Sequence, residues 1–110
     1  MRKIEVEMNR AIANLKHGEI WKSANTMVEM FNEVAFVFLH GNLIAEIGEG
    51  FITLHDGKCQ SKTTKSRLNA ILSENGLPGE FVFQKNFDWF VMQEGSAIPF
   101  FSGMKLNWYY

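Results

Sequence analysis

The sequence has one cysteine, two prolines, no long apolar run and a net charge of only −1. A lone Cys59 excludes an intramolecular disulfide and fits a reducing compartment. The longest uninterrupted apolar stretch, "VAFVFL" at residues 34–39, is far too short to cross a bilayer as a helix. The start, "MRKIEVEM", carries Glu5 and Glu7 where a signal peptide needs an apolar segment. The expectation is a soluble, cytoplasmic protein with no membrane partner. Near-neutrality excludes a global drive toward nucleic acid or acidic lipid. Acids are absent from residues 57–73, which hold Lys58, Lys62, Lys65 and Arg67. That window carries +4 and the remainder −5, so a basic patch sits on an acidic body.

What is present suits one domain over residues 1–110. The chain is 46% apolar and 21% charged, an ordinary globular balance, and shows no repeat, linker or low-complexity tract. Ile4, Met8, Ala11, Ile12 and Leu15 fall at helical spacing, which predicts a helix over residues 3–17 stopped by Gly18. From Trp21 to His55 the period becomes two. Strands are expected over residues 26–31, 34–40, 43–47 and 51–55, joined by tight turns. The second of these is apolar on both faces and must be central or covered twice.

A second helix is expected over residues 64–75, with Leu68, Ile71 and Leu72 as its buried stripe. Gly76 suits a left-handed residue after it, Leu77 could pack back on Leu72, and Pro78 bars continuation. "EFVFQ" and "FDWFVMQ" then flank Lys85-Asn86 as a hairpin, and "IPFF" can add an edge strand. The fold class is α+β. It is an antiparallel meander of about four to six strands, with an N-terminal helix and the 64–75 helix packed on it.

The strongest local anomaly is the start of the second helix. Unpaired backbone N–H groups there favour anions, yet cations crowd it. Lys62, Thr63, Thr64, Lys65 and Arg67 together make a candidate anion or partner site, for a phosphate or a partner's carboxylate. The plainer reading is a solvated surface, with a Thr capping the helix and acids such as Glu46 or Glu49 neutralising the cations.

Ten of the fifteen aromatic residues follow Glu80. Trp89, Phe90, Trp108, Tyr109 and Tyr110 could stack bases, although Phe at strand spacing usually fills a core. The hairpin strand at 87–92 is apolar on both faces, which suggests a homo-oligomer formed through this C-terminal aromatic hairpin. His40, His55, Asp56 and Cys59 match no zinc-ligand spacing, and nothing selects a Cys59–His55 nucleophile pair. No Walker loop is present, and neither metal nor cofactor is expected.

"FLHGNLIAEIG", "SKTTKSRLNAIL", "FQKNFDWFV" and "IPFFSGM" resemble a group of small proteins encoded by tailed bacteriophages, marine phages among them. The resemblance spans most of residues 21–104 and is most specific at 63–72. One departure is "DGKC", where the group has a second glycine and an aromatic. Cys59 is accordingly given no essential role. The resemblance implies a phage origin and a life in the host cytoplasm, and it brings no catalytic residues. The function expected is that of an accessory protein that binds a host protein or nucleic acid. A virion structural or assembly role is the alternative, followed by a small enzyme acting on a phosphorylated substrate.

Overall fold

A computed structural model describes residues 1–108. Its first element is helix α1, Lys3–Asn14. Five strands follow: β1 Ile20–Ser23, β2 Thr26–Phe31, β3 Val34–Leu39, β4 Asn42–Gly48 and β5 Phe51–Leu54. Helix α2 is Lys62–Asn75. The last strands are β6 Phe81–Lys85, β7 Asp88–Gln93, β8 Ser96–Pro99 and β9 Met104–Asn107.

Strands β1 to β5 form an antiparallel meander, and β9 returns to pair with β5, giving the order β1-β2-β3-β4-β5-β9. Strands β6, β7 and β8 form a separate antiparallel sheet. This is the expected α+β class.

Alternation sorts the large sheet into two faces. Val28, Val37, Ala45, Leu54 and Met104 are paired across successive strands and all buried. Met8, Ala11 and Ile12 of α1 and Leu68, Ile71 and Leu72 of α2 join them in one core. Between Val37 and Phe38 the register shifts, so consecutive Ile44 and Ala45 are both buried. A bulge lets one strand deliver two neighbouring side chains to the core. Helix α2 also contacts β6. There the Asn69 side chain donates to Val82 O at 2.9 Å and accepts from Val82 N–H at 2.6 Å. Val82, Trp89 and Val91 of the small sheet thereby belong to the same core.

Among the described residues, the opposite face of the large sheet carries no second layer. Met27, Phe36, Phe38 and Leu43 are only half-buried, and Phe31 is exposed. Central strand β3 is thus covered on one face, not two.

Several boundaries differ from the sequence reading. Helix α1 ends at Asn14, because Leu15 is already extended. β3 ends before His40, which turns with Gly41 at positive φ. Strands β1 and β9 were not foreseen. The expected left-handed cap at Gly76 is corrected: its φ is −90°. Glycine is needed there for space. A Cβ would stand 2.7 Å from the Leu72 carbonyl oxygen and 2.7 Å from Glu80 Oε1. The left-handed residue is Gly79, at φ +84°.

Candidate functional site

The structure divides the five residues at the start of α2. Ser61 is the N-cap, its Oγ accepting from Thr64 N–H at 3.1 Å. Thr64 is buried, and its hydroxyl donates to the Cys59 carbonyl at 3.1 Å. Thr64 therefore serves the cap and the preceding loop. Lys62 is exposed, and Thr63 and Lys65 are half-buried. Among the described residues, neither lysine has a carboxylate within salt-bridge distance.

Arg67 points the other way. It is 3% exposed, and its Nη1 lies 2.8 Å from Oε2 of Glu5 on α1, itself 2% exposed. Arg67 Nε donates to Thr26 Oγ1 at 3.0 Å and Nη2 to Asn25 Oδ1 at 3.3 Å. Glu5 also accepts from Ser66 Oγ at 2.6 Å and from Arg2 N–H at 3.2 Å. Burial alone would raise the Glu5 carboxyl. The hydrogen bonds from Ser66, Arg67 and Arg2, with the charge of Arg67, outweigh burial and hold it below the usual range. Among the described residues every buried side-chain nitrogen and oxygen has a partner. The pair is a satisfied internal clasp between α1, α2 and β2.

The spacing could have shown this. Thr64, Arg67, Leu68 and Ile71 follow the i, i+3, i+4, i+7 pattern of a buried helix face. Glu5, Met8 and Ile12 do the same on α1. An opposite charge within each apolar stripe is the signature of an interhelix pair.

Other sequence candidates are only partly assembled. His40, Asp56 and Cys59 help to line a cavity of about 100 Å³ beside the start of α2. His55 lies elsewhere, with Nε2 2.8 Å from Glu46 Oε2. Asp56 accepts from Lys58 N–H at 2.9 Å and so fixes its own loop. Among the described residues no three or more His, Cys, Asp or Glu side chains converge on a metal position.

The aromatic residues also divide. Trp89 is buried edge-on to Phe100, with ring centroids 5.4 Å apart. Trp108 Nε1 donates to buried Glu80 at 3.2 Å. Phe83 stacks on Phe90 at 5.6 Å and meets Phe81 at 5.6 Å, on the face of the small sheet away from Val82 and Val91. Tyr109 and Tyr110 lie outside the described residues.

The turn of this hairpin is Asn86-Phe87, one residue later than expected. Both residues have positive φ, 53° and 71°. Two-residue hairpins with this geometry favour Asn-Gly, because a side chain at the second position is strained. Here that position holds a phenylalanine, 90% exposed.

These features define a small α+β domain, with both helices against one face of an open meander and a small aromatic sheet joined to α2. The chain belongs to the Kyanoviridae Gp96 protein family, whose model it matches over residues 1–107. It is a phage protein, as the four motifs suggested. No curated protein and no solved structure matches it. Among the described residues no helix is long and apolar enough to cross a membrane.

Proposed function

We propose that this phage protein acts by binding a host protein in the host cytoplasm, and that the β6–β7 hairpin makes the contact. The observation that carries this reading is Phe87. A left-handed conformation costs a non-glycine residue about 1 kcal/mol or more. At 90% exposure no internal packing offsets that cost. A side chain held outward at a strained tip suits insertion into an apolar pocket on another molecule. Phe81, Phe83 and Phe90 extend the apolar surface behind it. Lys85 and Asp88 flank the turn with opposite charges, which favours a protein pocket over a polyanion.

The test is capture from infected host cells with the wild-type chain and with Phe87→Gly, each with and without nuclease. The expected result is a host protein retained despite nuclease and lost from the variant. Retention unchanged in the variant would remove the hairpin from the contact.

A second reading rests on Lys62 and Lys65, which lie without a carboxylate partner among the described residues at a helix start that has no acid in its first turn. With Lys58 and Thr63 they suit a phosphate-bearing partner. Capture abolished by nuclease, and falling steeply with salt, would favour this reading.

A further inference from the structure

We infer that the uncovered face of the six-stranded sheet is the interface of a homodimer, two copies packing sheet on sheet about a two-fold axis parallel to β4. Three observations lead there. The centre of the face is apolar, with Val34, Phe36, Phe38 and Leu43 only half-buried in the single chain. Its extent suits a second copy. The five strands differ in length, β5 and β9 having four residues each. At about 4.8 Å spacing and about 3.4 Å per residue they cover roughly 440 Å² on each copy, or about 900 Å² together, the size of a small interface that dissociates on dilution.

The third observation is the order of charges. One row of paired residues runs across this face as Glu29, Phe36, Glu46, Thr53 and Lys105, on β2, β3, β4, β5 and β9. Glu29 and Lys105 stand two strands to either side of β4. Rotation about an axis along β4 lays β2 of one copy over β9 of the other. Glu29 then faces Lys105 twice, and Phe36 faces Thr53. Val34 comes over Phe51, which is opposite Gly48 on the same face. Glu46, nearest the axis, already has His55 as its own partner at 2.8 Å. A two-fold contact must be self-complementary; this row is so at its outer positions, while at the axis Glu46 meets its own copy, each carboxylate held by its own His55. Aligned face-to-face packing is an ordinary arrangement of two antiparallel sheets. The interface lies on the large sheet, apart from the aromatic hairpin, so the dimer stands or falls independently of the Phe87 contact.

Charge reversal tests the geometry without disturbing the core. Sedimentation equilibrium of the wild type should show twice the chain mass of 12.6 kDa at high concentration, dissociating on dilution. Glu29→Lys and Lys105→Glu should each weaken the dimer about tenfold or more at low salt, and the combined variant should restore it. Circular dichroism of each variant should match the wild type. A single-chain mass at every concentration up to about 1 mM would overturn the inference. So would a dimer indifferent to both single reversals, or one not restored by the double. Loss of the dimer in Phe87→Gly would place the interface on the hairpin and overturn it equally. Should either single variant unfold, dilution of the isotopically labelled wild type decides. Amide signals of β2 to β5 and β9 must then be the ones that shift with concentration.

Discussion

Arg67 and Glu5 are 62 positions apart in the chain and 2.8 Å apart in the fold, both almost wholly buried. This contact ties α2 to α1. It also shows that one cation near the helix start serves the interior. Breaking such a pair from one side strands a buried charge, which costs about 3–5 kcal/mol, whereas apolar replacement of both partners is often near neutral. Arg67→Met and Glu5→Leu should therefore each lower stability by that order. The double variant should lie closer to the wild type than either single. Urea denaturation of all four proteins measures this cycle.

The same pair sets a pH dependence. The Glu5 carboxyl titrates lower in the folded chain than in the unfolded one. Its contribution is therefore complete above the unfolded carboxyl range and is lost as pH falls through the folded value. Glu5→Gln cannot make this contribution at any pH. Wild type and variant should differ most near neutrality and converge on acidification, as read from urea midpoints across the acid range.

Two glycines after α2 should respond differently to the same substitutions. Gly76→Ala places a methyl 2.7 Å from the Leu72 carbonyl and should cost about 1–3 kcal/mol. Gly79→Ala meets nothing within 4 Å and should cost about 1 kcal/mol through its positive φ alone. Asparagine tolerates positive φ, so Gly79→Asn should recover part of that loss. Gly76→Asn should recover none, because its Cβ meets the same carbonyl. Thermal unfolding of the four variants separates crowding from strain.

The meander was legible because each strand alternates and each turn is local. Residues 26–54 needed only period-two patterning and turn residues such as Asn32 and Gly41. The β5–β9 pairing was not legible. Ile52 and Leu106 meet across more than fifty residues, and β9, at four residues, is too short to show a period. The helix cap was misread because Gly76 and Gly79 both follow α2, and sequence alone does not say which one bends the chain and which one makes room. At the candidate site, residue types were visible but directions were not. Lys65 and Arg67 look alike in a basic run, and only the α1 stripe carrying Glu5 tells them apart. The aromatic hairpin was recognised. The uncovered face of the large sheet was not, because alternation shows that β3 has two apolar faces but not what covers them.

That division of the basic run gives the last prediction. Lys62 and Lys65 lie where the α2 dipole disfavours cations, each opposing the helix by roughly 0.3–1 kcal/mol before screening. Neither has a carboxylate partner among the described residues. Lys62→Gln with Lys65→Gln should therefore leave stability equal or slightly higher. Adding Arg67→Gln should then lower it by several kcal/mol, because Glu5 loses its buried partner. The two steps must differ in kind, although all three residues share the start of one helix. Urea denaturation of the double and triple variants reads the difference directly. The double variant, with its fold unaltered, is also the right one for binding. If Lys62 and Lys65 meet a phosphate-bearing partner, the double variant should bind more weakly at low salt, and its binding should depend less on salt. A double variant clearly less stable than the wild type would show that these lysines, too, serve the fold.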